Sequence, residues 1–192
     1  TILYLCKHKD EVVYDAEHFF DGYRHNPQYA LKTVKAARDA GASCIVLCDT
    51  NGGMMPFDIQ RVVREVKTAL GCPVGIHTHN DSGCADANSF MAINEGATHV
   101  QGTINGMGER CGNANLCVVI PGLQLKLGHA VVSEKQLSQL TSASIFISEI
   151  ANITPSIHQP YVGETAFSHK AGTHADGVRK NSKSFEHIDP AL

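Results

Sequence analysis

A short apolar run that stops abruptly on polar residues, followed by a stretch with helical spacing, recurs four times along this chain. The clearest copy is Cys44-Ile45-Val46-Leu47-Cys48, apolar at every position and ending at Asp49-Thr50-Asn51-Gly52-Gly53. Such a run suits a parallel strand covered on both faces. Pro56 then opens a helix in which Ile59, Val62, Val63 and Val66 fall at i, i+3, i+4 and i+7. Before it, residues 11–16 read as a short strand ending on charge and residues 17–22 as a loop. Asn26-Pro27 starts a helix with Leu31, Val34 and Ala37 on one face, up to Gly41. After it, Val74-Gly75-Ile76 runs into His77-Thr78-His79-Asn80-Asp81, and residues 84–95 carry Ala87, Phe90 and Met91 at helical spacing. The fourth strand, residues 99–103, precedes a glycine-rich polar loop and a helix with Leu116, Val119, Ile120, Leu123 and Leu127, which Pro121 is expected to kink.

The repeat spans roughly 25–30 residues, the size of a βα unit, so a parallel α/β sheet is expected. Each polar cluster lies just past a strand: Asp15 to Glu17, Asp49 and Thr50, His79 to Asp81, Glu109 to Asn113. A doubly wound sheet gathers ligands at one switch point, whereas a (β/α) barrel lines the whole strand-end edge with site residues. Polar ends on four successive strands favour the barrel. The expected fold is therefore the C-terminal half of a (β/α)8 TIM barrel over residues 1–128. A small, mostly helical subdomain follows over 129–192, with a helix at 133–150, an irregular connection at 152–162 and a polar-rich segment at 165–180. The chain begins without Met and stops at Asp189-Pro190-Ala191-Leu192, and both ends read as cut.

Composition removes several classes of function. The net charge is -3 with His neutral and no basic stripe occurs, which argues against nucleic acid as a partner. No apolar run approaches the ~20 residues of a membrane helix, and the first ten residues do not have the layout of a signal peptide. The seven cysteines are odd in number and include no Cys-x-x-Cys pair. Reduced thiols in a cytoplasmic protein account for them.

His77 and His79 lie two apart in a strand and so face the same way. Two imidazoles side by side, next to Asn80 and Asp81, suit a divalent cation. On its own the pair suits a polar cap on a strand end equally well, since short motifs carry real false positives.

Three separated motifs in one order resolve this. They are His77-Thr78-His79-Asn80-Asp81, Gly108-Glu109-Arg110-Cys111-Gly112-Asn113-Ala114, and His169-Lys170-Ala171-Gly172-Thr173-His174-Ala175-Asp176-Gly177. Together they resemble the acetyl-CoA-dependent 2-oxo acid condensing enzymes: the 2-isopropylmalate, homocitrate and (R)-citramalate synthases. Residues 14–22, 47–53 and Phe185-Glu186-His187-Ile188-Asp189-Pro190 resemble the citramalate branch most. The resemblance covers essentially the whole chain. It implies a catalytic barrel, a linking subdomain and a regulatory domain. Against that pattern the first half of the barrel is not in this sequence, including an Arg-Asp segment whose Asp is a metal ligand and whose Arg is catalytic.

The resemblance further implies an acyltransferase that condenses acetyl-CoA with a 2-oxo acid, pyruvate being the best match, in an amino-acid biosynthetic route. It implies His77, His79 and Asn113 as ligands of a divalent metal (Mn, Mg, Co or Zn). Read alone, Asn113 is better explained as a helix cap before Leu116, and only the motif reverses that. Thr50 is the expected binder of the oxo acid carboxylate, a role compatible with a polar turn at 49–52. Glu17 falls where family enzymes hold a catalytic carboxylate, and a solvated loop glutamate is the competing reading. His174 is the expected general base or proton relay, with His169 a weaker candidate; in the family this segment reaches the site of a neighbouring subunit, so a homodimer is implied. Asp81, Glu109 and Arg110 are expected to orient the ligands and the loop bearing Asn113. Two other readings stay open: a related metal-dependent lyase or carboxyltransferase, and a metal-binding fragment without turnover.

Overall fold

A computed structural model describes residues 1–190 of the chain. The chain forms two compact units, Thr1–Asn115 and Leu116–Leu192.

The first unit is a four-stranded parallel sheet of β1 (Val13–Ala16), β2 (Cys44–Asp49), β3 (Val74–Thr78) and β4 (His99–Gln101). The strands lie side by side in chain order, each paired in parallel with the next. A doubly wound sheet reverses direction at its switch point; this one does not, and it curls as consecutive units of a (β/α) barrel do. Helices α1 (Ile2–Leu5), α2 (Phe19–His25), α3 (Pro27–Asp39), α4 (Pro56–Leu70) and α5 (Ala85–Asn94) precede or separate the strands. The helix starts and stops follow local chemistry. Asn26 Oδ1 accepts the Tyr29 N–H at 3.0 Å ahead of Pro27. Gly71 ends α4 in the left-handed region with φ 62°, where a side chain would be strained.

The two faces of the sheet carry different chemistry. Ile45, Leu47, Val74 and Ile76 pack outward with Val34, Ala37, Ile59, Val62, Val63 and Val66 of α3 and α4 into one core. Most of these side chains are entirely buried, each contributing about 1.5–3 kcal/mol. The alternate residues Cys44, Val46 and Cys48 form a separate cluster on the other face. Strand register aligns that face in rows: Asp15, Val46, Gly75 and His99 in one, Cys48, His77 and Gln101 in the next. Gly75 is required there, because a Cβ would sit 2.9 Å from Val46 Cγ2 and 3.1 Å from His99 Cβ.

Residues 17–22, expected as a loop, correct that expectation. They lead into α2, which starts at Phe19 after His18 turns with φ 55°. Phe19, Phe20 and Tyr23 are all buried in the core, and this burial outweighs the helix penalty of Gly22. Tyr23 Oη also donates to Glu65 Oε2 of α4 at 2.5 Å.

In the second unit, α6 (Leu116–Pro121) ends at its proline as expected and continues as a π-helical turn over Gly122–Lys126. The single helix expected at 133–150 is instead two, α7 (Glu134–Leu137) and α8 (Leu140–Ala151). A capping box of Ser133 and Gln136 opens α7. At its end the Ser138 hydroxyl bonds back to the Lys135 carbonyl at 3.0 Å, offering the backbone an alternative to continuing the helix. The polar-rich segment holds α9 (Gly172–Lys180). No helix among the described residues is long and apolar enough to cross a membrane, and all seven cysteines are free thiols.

Candidate active site at the strand ends

β3 ends by delivering His77 and His79 to the same side. Their Nε2 atoms lie 3.4 Å apart and their rings are tilted at 45°. The loop of residues 105–113 brings Asn113 to them: its Nδ2 is 3.1 Å from His77 Nε2 and 3.5 Å from His79 Nε2. That placement is built by backbone pairing. The Asn80 N–H donates to the Gly112 carbonyl at 2.9 Å, and the Ala114 N–H to the Thr78 carbonyl at 3.0 Å. Gly108 is needed beside it, since a Cβ there would fall on the Asn113 amide oxygen.

Arg110 closes the other side of the loop. It takes the left-handed conformation with φ 57°, and its guanidinium grips Asp81 through two bonds of 2.7 and 3.0 Å. Its Nη2 also donates to the Thr50 carbonyl at 2.7 Å. Asp81 is thus engaged by Arg110 and not by an imidazole, and the guanidinium holds its carboxyl below the usual carboxylate range. Glu109 lies 4.0 Å from Arg110 and is otherwise exposed.

Thr50 sits just past β2. Its Oγ1 accepts the His18 N–H at 2.7 Å. With that acceptor site used, the hydroxyl proton is left to donate elsewhere, as a carboxylate-binding group requires. Thr50, His77, His79, Cys48, Asp15 and Glu17 line one cavity of about 220 Å³. Burial pushes the Cys48 thiol up to about 12, so it is an inert wall of that cavity.

Two residues behind His77, Gln101 and Asp15, had no assigned role in the sequence. His77 Nδ1 is 2.9 Å from Gln101 Oε1, and Gln101 Nε2 donates to Asp15 Oδ1 at 2.9 Å. Asp15 was legible only as a strand-end carboxylate. Gln101 closes β4 in the row of His77, a position the period-2 alternation of β4 could have flagged.

The donor set fits a divalent cation as far as it extends. Two imidazole nitrogens and the Asn113 side-chain amide lie together; the amide turns Nδ2 to the rings, so it would hold a cation through Oδ1 after a half-turn of the amide group, and His77 Nδ1 is engaged by Gln101. His79 Nδ1 is buried and without a partner among the described residues, while its Nε2 lies 3.4 Å from His77 Nε2 and 3.5 Å from Asn113 Nδ2. Burial, then His77 and Arg110, lower its pKa, favouring the neutral ring a metal takes. Among the described residues no three His, Cys, Asp or Glu groups come close enough to hold a metal; the third donor here is an amide.

His174 belongs to the second unit, on α9, where its ring stacks on Phe185 with centroids 4.3 Å apart. His169 Nε2 lies 2.5 Å from Glu186 Oε1, a carboxylate almost fully buried.

A parallel sheet in barrel order, with polar side chains from three successive strand ends facing one cavity, defines a (β/α)-barrel enzyme architecture. Residues 4–147 match the HMGL-like family model, and residues 161–192 match the homocitrate synthase post-HMGL domain-like model. The chain belongs to the HMGL-like family. It is similar to the (R)-citramalate synthase of Geobacter sulfurreducens, 56% identical over 192 residues covering 100% of this chain and 36% of that protein. It is likewise similar to the (R)-citramalate synthase of Aquifex aeolicus, at 54% identity over 100% of this chain and 37% of that one. The chain thus spans about a third of the length of these curated relatives. In fold it is similar to the carboxyl transferase domain of Rhizobium etli pyruvate carboxylase with pyruvate: TM-score 0.60 and 17% identity, covering 91% of this chain and 30% of that one.

Proposed function

We propose that this chain supplies part of the active site of an acyltransferase that condenses acetyl-CoA with pyruvate and water to give (R)-citramalate and CoA. The observation that carries the reading is the convergence of His77, His79 and Asn113 at the strand end, with His77, His79 and the Thr50 hydroxyl lining one cavity. Similarity to (R)-citramalate synthases over the whole chain supports the choice among family reactions.

In this reading His77, His79 and Asn113 hold a divalent metal, which when bound supplies Lewis acidity to a keto oxygen. The protein's own groups do the rest. Thr50 donates its hydroxyl proton to the oxo acid carboxylate, while the His18 N–H holds its oxygen in place. Glu17, exposed at the rim of the cavity, serves as a catalytic carboxylate. The Asp81–Arg110 pair holds the loop that presents Asn113, and it ties that loop to the Thr50 backbone. His174 moves the proton of the acetyl methyl group or of the developing hydroxyl. It does so at the site of a neighbouring subunit, which makes the working enzyme a homodimer. Free thiols throughout suit a cytoplasmic setting. The domain division proposed is a catalytic part over 1–128 and a linking subdomain over 129–192.

The match of residues 161–192 to a homocitrate synthase domain model favours condensation over a lyase or carboxyltransferase, for which only the barrel fold speaks. The test joins this chain to the remaining residues of the Geobacter relative and incubates it with acetyl-CoA and single 2-oxo acids. CoA and hydroxy acid are then quantified by chromatography, with and without chelator. CoA release that requires pyruvate and is lost with chelator is expected. Release independent of oxo acid, or unaffected by chelator, would sink the proposal. The same assay on the 192-residue chain alone separates a competent half-site from a metal-binding fragment without turnover.

A further inference from the structure

The row of polar side chains on the inner face of the sheet does more than border the cavity. Asp15 from β1, Gln101 from β4 and His77 from β3 form a chain of two hydrogen bonds, each of 2.9 Å. The donors and acceptors run in one direction. An ionised carboxylate only accepts, so Asp15 takes the amide nitrogen of Gln101. That fixes the flip of the amide and points its oxygen at His77. An amide oxygen also only accepts, so His77 must carry its proton on Nδ1. Nε2 is then left as a bare lone pair, facing His79 Nε2 and the Asn113 amide.

We propose that Gln101 is a positioning residue. Oriented by Asp15, it locks His77 in the Nδ1–H tautomer and so makes Nε2 available as a donor atom for a divalent cation. The inference rests on reading His77 as a metal ligand, but its first half concerns the ring alone. His79 supplies an internal contrast: its Nδ1 is buried without a partner, so no side chain behind that ring plays the part Gln101 plays behind His77. Second partners of this kind raise ligand basicity and fix ring orientation, and their loss lowers metal affinity by about 10–100-fold. The side chains of β1, β3 and β4 are needed together, so the device exists only once the sheet has curled.

Two readouts on the 15N-labelled 192-residue chain test this. A long-range 1H–15N spectrum, with His77 assigned by its loss in His77→Ala, reads the tautomer directly. The wild type is expected to show the proton on Nδ1. Gln101→Leu is expected to move the ring to the Nε2–H form or to a mixture. Gln101→Glu keeps an acceptor at the same place and is expected to retain Nδ1–H; Asp15→Asn, which allows either amide flip, is expected to give a mixture. Co2+ titration followed by calorimetry then reads affinity, expected to fall about 10–100-fold in Gln101→Leu and to be largely kept in Gln101→Glu.

An unchanged Nδ1–H signal in Gln101→Leu, or an Nε2–H ring in the wild type, overturns the inference. So does a shifted tautomer with undiminished Co2+ affinity. Failure of the wild type to bind Co2+ overturns the metal reading, with the tautomer result still deciding whether Gln101 sets the ring. An unchanged backbone 1H–15N spectrum away from β3 and β4 shows that each variant is folded.

Discussion

At the scale of single residues the proposed site makes asymmetric demands. His77→Ala removes the nitrogen whose partner, Gln101, prepares it, and divalent metal binding measured by calorimetry is expected to fall below detection. Metal content equal to wild type would contradict the ligand assignment. Thr50→Val removes one hydroxyl but keeps the shape. If Thr50 binds a carboxylate, the loss of one hydrogen bond to a charged group, about 1.5–3 kcal/mol, raises the KM for the oxo acid by roughly 10–100-fold in the full-length enzyme. The KM for acetyl-CoA is expected to stay unchanged, and equal effects on both substrates would instead mark a structural turn. His174, which within its unit packs against the rings of Phe185 and His169, carries no such local prediction.

Among elements, the barrel core and the 105–113 loop depend on different physics. Ile59 on α4 is wholly buried against the sheet. Ile59→Ala is expected to cost about 2–5 kcal/mol in a urea melt, the range of a lost side chain plus the cavity it leaves. The loop has little apolar burial and is tied down by the two-pronged Arg110–Asp81 pair and the Arg110 bond to the Thr50 carbonyl. Arg110→Ala is therefore expected to raise amide hydrogen exchange over residues 105–113 while leaving the exchange of β2 and α4 as it was. Uniform acceleration across the first unit would show that the pair supports the fold rather than the loop.

At the scale of the whole molecule, part of the acid dependence of stability should come from a clamp between helices. Glu95, following α5, takes two bonds from Arg64 at 2.7 and 2.8 Å and one from Gln60 at 2.8 Å. Arg64 and Gln60 hold its carboxyl down at about 2, against roughly 4.3 for a free glutamate. A carboxylate whose pKa is lower in the folded state stabilises fully above the unfolded value and progressively less as pH falls toward the folded one. The urea midpoint should therefore drop as pH falls from about 4.3 to about 2, more steeply in wild type than in Glu95→Gln. Parallel curves for the two proteins would remove Glu95 from the account. The cysteines give a separate check on packing: Cys6 and Cys111 are exposed, and Cys44, Cys48 and Cys117 buried. Thiol reagent is expected to reach the first two at once and the buried three only on unfolding.

The repeated pattern of apolar run, polar end and helical stretch determined the α/β class and the four parallel strands. It also determined that chemistry collects at one edge of the sheet. Strand periodicity alone put His77 and His79 on one side, because neither feature needs long-range information. The sequence could not show α2, because Phe19, Phe20 and Tyr23 become helical only when a core receives them. Nor could it split residues 133–150, where a single serine hydroxyl competes with the helix. The pairing of Arg110 with Asp81, and of His77 with Gln101 and Asp15, was out of reach for the same reason. These partners are 24 to 86 residues apart, and what joins them is strand register and sheet curvature. Local spacing determines which face a side chain is on; only the closed distances of the tertiary structure decide which side chain waits for it there, and hence which nitrogen of His77 carries the proton.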